Sequence, residues 1–409
     1  MQGALSNIRV LDLSRILAGP WCTQNLADLG AEVIKVERPA TGDDTRHWGP
    51  PWIRDVEGNE TTDSTYFASA NRNKKSIAVD IASPEGQALI RELVAESDVL
   101  VENYKVGDLA RYGLAYDDLR KVNPRLIYCS ITGYGQSGPS AHRPGYDFVF
   151  QGLGGLMSIT GERDDLPGGG PQKVGVAITD VMTGMYACVA ILAAVNARSM
   201  SGVGQYIDMA LLDCIVAFGG NQANNYVMTG QVPKRSGNAH PALVPYQVFA
   251  TLNGHIIVAA GNDNQWQRLC KVMARADLAS DPRFNQVSGR ITHREALIVE
   301  LERVMLTRKS EDWLVALEEG GIPVGPINDY AEVFADPQVR HRQLQVDLPR
   351  PEGGTLPAIA SPLRLSETPV TYRSAPPTLG QNTDEVLRSV LGKTPEQVDL
   401  LAASGTISR

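Results

Sequence analysis

"IRVLDLSRILAGPWCTQNLADLGAEVIKVERP", residues 8–39, decides the fold class. The apolar run "IRVLDLS" reads as a strand, "GPWCTQNLADLG" as a helix and "AEVIKVE" as a second strand. A strand, a crossover helix and a second strand form a βαβ unit, whose strands lie parallel. The alternation continues downstream. "SIAVDI" reads as a strand; Ser83 then caps a helix with Pro84 at its first position. Leu89, Ile90, Leu93 and Val94 give that helix one apolar face. "DVLVEN" and "RLIYCSITG" are further strands, with the helix "DDLRKVN" between them. The expectation is an α/β protein built on a parallel sheet.

The same βαβ unit invites a dinucleotide reading, because Gly19 follows the strand, Gly30 ends the helix and Glu37 ends the second strand. The spacing does not support it. There is no GxGxxG, and Pro20-Trp21 stands where the backbone would approach a pyrophosphate.

At 409 residues the chain has room for two domains. Its net charge of −8 argues against a general nucleic-acid binder, although a local basic cluster can still hold an anion. The five cysteines are an odd number and form no CxxC pair, so no zinc or other metal site is expected. They read as small buried hydrophobes of a reducing, cytoplasmic protein. The N-terminal residues carry no signal-peptide pattern. The apolar run Val181 to Val195 is broken by Thr183 and Gly184 and is short for a membrane span.

Later segments add organisation. Residues 161–172 are a Gly- and Pro-rich loop, and 223–244 read as a polar linker. "YQVFATLNGHIIVAAG" reads as a hairpin turning at Asn253-Gly254. Amphipathic helices are expected around 264–274, 293–306 and 310–319, and a last one near 383–392.

The chemistry centres on "KVGVAITDVMTG", residues 173–184. Val174, Val176 and Ile178 read as a strand, and Asp180 stands at the start of a long apolar helix. Asp180 reads as a helix N-cap, as a nucleophile, or as both, since the helix dipole would hold its carboxylate ionised. Basic residues recur at strand ends and loops: Arg38, Arg46, Arg72, Lys74, Lys75, Lys105 and Arg111. "NRNKK", with Arg72 and Lys75, is the best phosphate candidate among them. His240 lies in the polar linker, and the absence of GxSxG lowers the case for a triad hydrolase.

These motifs, with "VENY", "SITGYGQSGP", "GYDFVFQGLGGLMSITG" and "LGQNTDEVL", resemble the family III coenzyme A transferases over nearly the whole chain. "GDDTRHWGPPW" and "GNAHPALVPYQVF" look most like the succinyl-CoA:glutarate branch. The resemblance implies a large Rossmann-like domain from both chain ends (1–222 and 331–409) and a small α+β domain (223–330) in an interlocked homodimer. It implies a coenzyme A thioester as substrate, with no permanently bound cofactor, and partners limited to acyl-CoA and small carboxylic acids, without nucleic acid or membrane. It places the catalytic aspartate at Asp180 and CoA contacts at Arg38, Lys75, Asn103, Tyr104 and Arg111, to which the basic cluster adds Arg72. Tyr134, Gly135 and Gln136 would orient the reacting groups. Arg46, with help from His240, would hold the distal carboxylate of a small dicarboxylate. Leu17 and Thr132 stand where the oxalate-using branch has glutamine and lysine. The same fold serves α-methylacyl-CoA racemases, the alternative reading, but Tyr146 stands where their basic histidine would be.

Overall fold

The computed structural model describes residues 3–409. Its first compact unit runs to Leu156, resumes over Val174–Gln231 and closes with Arg340–Arg409. Six parallel strands form its sheet: β1 (Arg9–Asp12), β2 (Glu32–Glu37), β3 (Lys74–Val79), β4 (Val99–Glu102), β5 (Ile127–Thr132) and β6 (Tyr206–Ala210). The order is β3-β2-β1-β4-β5-β6, and Ile407–Ser408 adds an antiparallel edge outside β3.

Alternation along the strands divides the core. Val10, Val33, Val99, Val101 and Cys129 face one side, where helices α1 (Ala18–Asp28) and, later in the chain, α4 (Ile178–Ser201) pack. Leu11, Ile34, Ile77, Leu100 and Tyr128 face the other, against α2 (Pro84–Ala95). A sheet covered on both faces needs continuous apolar strands, which is how these segments read. Ser83 caps α2 through the Gly86 amide at 3.0 Å, with Pro84 in the first turn. Gly30, at φ +107, ends the α1 crossover in a conformation that suits glycine.

The chain lays β2 and β3 to one side of β1, then crosses to place β4 on the other. The carboxyl ends of β1 and β4 therefore flank the switch point, where α/β sheets bind ligands.

Three further helices flank this stretch. Helix α3 (Asp147–Leu153) lies before α4, and α5 (Leu211–Phe218) and α6 (Gly220–Thr229) follow β6. Helix α4 is long and apolar enough to cross a membrane by length and composition. Its buried residues, Thr179, Thr183, Ala187, Cys188, Ile191 and Ala194, recur at three- and four-residue steps, the signature of a helix lying on a core. A Cβ on Gly184 would come within 2.6 Å of the Ala18 carbonyl, so glycine is what lets α4 approach α1.

Three expectations are corrected. No strand forms over 173–177. The Val174 amide and Val176 carbonyl bond the Gln151 side chain, at 2.9 and 3.4 Å, instead of a neighbouring strand. The stretch from 223 is not all linker, because α6 continues to Thr229. The unit boundaries fall at 231 and 339 rather than 222 and 330, and the 157–173 excursion groups with the second unit.

That second unit comprises Met157–Lys173 and Val232–Val339. Strands Tyr246–Ala250 and His255–Ala259 form the hairpin, and Val324–Pro326 joins them antiparallel. Helices Asp263–Val272, Arg294–Met305 and Ser310–Glu319 pack Trp266, Leu269, Leu297, Leu301 and Trp313 into its own core.

Candidate active site

The amide groups at the start of α4 are capped from a distance. Ala177, just before the helix, offers no side chain. Asp147, the first residue of α3, reaches across instead. Its Oδ1 accepts the Thr179 amide at 2.7 Å and the Asp180 amide at 3.4 Å. Gln151, fully buried one turn further on, donates to Asp147 Oδ2 at 2.7 Å. The expectation that Asp180 caps its own helix is therefore corrected: it is the third helical residue, and Asp147 does the capping.

Freed of that duty, the Asp180 carboxylate makes no hydrogen bond or ion pair among the described residues and lines a cavity of about 200 Å³. Burial, and then the nearby negative charge of Asp147, push its pKa up to about 7. The expected ionised aspartate is thus one that titrates near neutrality.

The cavity opens at the switch point. Residues 15–18 after β1, 103–106 after β4, the end of β5 and the 141–146 loop form its walls. A second cavity, about 230 Å³, lies over the ends of β2 and β3 and is lined by Arg38, Val79–Ala82 and Arg111. Arg15 and Tyr104 line both. Asn103 fixes this shared wall by bracketing Arg15: its Oδ1 accepts the Arg15 amide at 2.8 Å and its Nδ2 donates to the Arg15 carbonyl at 2.7 Å. The Tyr104 amide donates to Glu102 at 2.8 Å, and the Arg15 guanidinium lies 5.6 Å from the Tyr104 ring centre.

Asp180, Asn103, Tyr104, Arg38 and Arg111 are thus gathered around two adjoining cavities. Other candidates are not. Arg46 is 2% exposed and pairs with Glu37 through two bonds, at 2.8 and 2.7 Å, and with Asp63 at 3.0 Å. Its Nη2 also donates to the Pro377 carbonyl at 3.1 Å, so it has no face left for a substrate. Arg72 pairs with buried Asp28 and donates to the Ile359 carbonyl at 2.8 Å. Lys74 is buried against Asp12 at 3.1 Å. Lys75 sits at the start of β3, the opposite end from the cavities, and pairs with Glu32 and Glu385 at 2.9 and 2.8 Å. In the "NRNKK" cluster Arg72 and Lys74 are thus buried and paired, and Lys75 is half-buried away from both cavities.

Gln136 donates to Ser130 Oγ at 2.9 Å and lines a separate cavity with Glu102. Gly135 turns with φ +83 beside Asp208. Tyr134 packs edge-on against Phe150, with ring centres 5.0 Å apart. None of the three is part of the lining around Asp180. His240 belongs to the second unit, where its Nδ1 accepts the Ala242 amide at 3.0 Å.

The sequence does not mark out two hydroxyl groups around Asp180 as possible donors. Thr132 is buried in the wall beside Asp180, and its hydroxyl has no partner among the described residues. Tyr66 feels the charge of Asp180; burial, then Asp180, Asp147 and Asp43, push its phenol up to about 12, so it stays a neutral O–H. Residues 79–82, which read in the sequence only as a strand end, line the second cavity, and Arg143 lines the one around Asp180.

A model of CoA-transferase family III matches residues 5–383. The chain is 48% identical over 387 residues to succinate–glutarate CoA-transferase of Agrobacterium fabrum, covering 94% of each chain. It is 43% identical to human succinyl-CoA:glutarate CoA-transferase, covering 99% of this chain and 90% of the relative. Among solved structures, a CAIB/BAIF family protein from Brucella suis matches with TM-score 0.85 and 46% identity, over 95% of this chain and all of that one.

Proposed function

For a chain that belongs to CoA-transferase family III, we propose that the enzyme moves CoA from a donor such as succinyl-CoA to a small dicarboxylate of the glutarate kind, by way of a thioester on Asp180. The observation that carries this reading is the unpaired Asp180 carboxylate in a cavity that shares the Arg15–Tyr104 wall with a second cavity edged by Arg38 and Arg111.

CoA is a phosphorylated nucleotide on a long thiol arm. The phosphates suit the Arg38 and Arg111 guanidinium groups, which bind phosphate in a forked geometry. The arm then passes Tyr104 and Asn103, and the thioester arrives at Asp180. The Asp180 carboxylate attacks the thioester carbonyl; the C–S bond breaks, leaving a mixed anhydride and CoA thiolate. The thiolate attacks the aspartyl carbonyl and expels the donor acid as a carboxylate, leaving an aspartyl-CoA thioester. The acceptor carboxylate attacks that thioester to give a second anhydride and thiolate. Attack of the thiolate on the acceptor's acyl carbon forms the new acyl-CoA and restores the Asp180 carboxylate. Each addition builds negative charge on a carbonyl oxygen, and the Thr132 hydroxyl and Tyr66 phenol are neutral donors close to where it forms.

The exposed apolar side chains of α4–α6, among them Val189, Val216, Phe218, Val227 and Met228, support the assignment of an interlocked homodimer, since such patches are normally covered. Five buried, unpaired cysteines support a cytoplasmic setting.

The test is acid quench of the enzyme during turnover of succinyl-CoA with glutarate. Peptide mass analysis is expected to show CoA, less water, on the peptide containing Asp180, and none in Asp180→Asn. An unmodified Asp180 in an enzyme that is turning over would overturn the covalent route.

A further inference from the structure

A dicarboxylate acceptor brings a second carboxylate that does not react, and Arg46 is too deeply paired to meet it. Four basic side chains line the cavity around Asp180: Arg15, Lys105, His142 and Arg143. Arg15 is engaged, paired with Asp44 at 2.9 Å. Lys105 stands on the same loop as Asn103 and Tyr104, the wall shared with the second cavity, and so lies along the path of the CoA arm. Arg143 stands on the 141–146 loop, none of whose residues lines the second cavity.

We infer that Arg143 is the specificity residue for the acceptor, its guanidinium holding the distal carboxylate of a small dicarboxylate whose other carboxylate reacts at Asp180. The inference rests on the transferase reading above. Arg143 has no acidic partner among the described residues, whereas Arg15 in the same lining is paired with Asp44. Its guanidinium lies 5.1 Å from the ring centre of Tyr134, a contact that orients the fork without using up its charge. Tyr134 is itself pinned edge-on to Phe150, which is fully buried. Among the described residues, the one hydrogen bond its guanidinium makes is a long one, 3.5 Å, to the Ser140 hydroxyl. The guanidinium is therefore held in place by a ring yet electrostatically unspent, and carboxylate is the group its planar fork fits.

The same grip serves both half-reactions. A succinyl-CoA donor also ends in a free carboxylate, so one cation would select donor and acceptor alike.

The experiment measures acceptor kcat/KM for glutarate and for valerate, the monoacid with the same carbon chain, at saturating succinyl-CoA. Valerate is also measured as a competitive inhibitor of glutarate. Arg143→Gln is expected to lower kcat/KM for glutarate by about ten- to a hundred-fold, the usual effect of losing a hydrogen bond to a charged group. Valerate turnover or inhibition is expected to change by less than about three-fold, and Arg143→Lys to recover part of the glutarate rate. Equal losses for both acids would overturn the inference, and so would diacid selectivity lost in Lys105→Gln but kept in Arg143→Gln. Those outcomes leave CoA loading of Asp180 in the wild type intact. Failure of the wild type to load CoA on Asp180 would instead overturn the transferase mechanism and the inference with it.

Discussion

Replacing Asp147 with asparagine separates two jobs done by one side chain. The wild-type carboxylate caps the α4 amides and adds negative charge beside Asp180. Asparagine keeps an acceptor oxygen for the Thr179 amide and removes the charge. Asp180 rises from 3.8 to about 7, with burial the larger cause and Asp147 the smaller. The rise is about 3 units, so the share owed to Asp147 is less than about 1.5 units. The wild-type kcat/KM for acyl-CoA should therefore climb with pH through a midpoint near 7, as the nucleophile ionises. In Asp147→Asn the midpoint should fall by up to about 1.5 pH units, with the limiting rate at high pH largely kept. The cost is local: the new amide nitrogen would face Gln151 Nε2, donor against donor, at about 1–3 kcal/mol of stability. The assay is steady-state kcat/KM from pH 5 to 9, with substrate controls for thioester hydrolysis. A flat wild-type profile, or an unmoved midpoint in the variant, would refute the account.

The sign of the linkage gives a stability prediction as well. The folded pKa of Asp180 lies above its unfolded value, so stability falls as pH rises from about 4 to about 7 and stays lower beyond. Asp180→Asn should match the wild type in acid and exceed it by up to about 4 kcal/mol above pH 7, read from urea melts. Arg46→Met should destabilise by about 3–5 kcal/mol, because Glu37 is left buried without its partner, and should not select against diacids in the folded fraction. Arg38→Ala should raise KM for acyl-CoA, whereas Lys75→Ala should leave it unchanged and shift stability by no more than about 1 kcal/mol. Gly184→Ala should cost about 1–3 kcal/mol in thermal or urea melts, as its Cβ meets the Ala18 carbonyl.

Local pattern carried most of the architecture. The strands β1–β5, the Ser83 cap and the Asn253-Gly254 hairpin all depend on neighbours in sequence, and a period of two or four residues exposes them. The proposed nucleophile, Asp180, was legible through the family motif, but its environment was not. Val174 and Val176 look like a strand until Gln151, more than twenty positions upstream, supplies their hydrogen bonds. Asp180 looks like a cap until Asp147 is seen to reach α4. Arg46 looks like a surface cation because Glu37, Asp63 and Pro377 close around it only in the fold. Lys75 is placed for a simpler reason: it lies at the start of β3, and the cavities lie where β3 ends. A parallel strand's direction is set by the chain itself, and it is residues 79–82, at the other end of β3, that line the cavity beside Arg38.

The remote cap at α4 also bears on how such a protein can change over time. The chain leaves the first unit at Leu156 and re-enters it at Val174, after an excursion that groups with other residues. On return it is received by Gln151 at Val174 and by Asp147 at Thr179, both fixed in α3 before the departure. The proposed nucleophile is thus held in register by contacts from its upstream helix. Changes of length or sequence within 157–172 are therefore expected to leave these contacts, and with them the position of the Asp180 carboxylate, in place, so that length of chain is free to diversify.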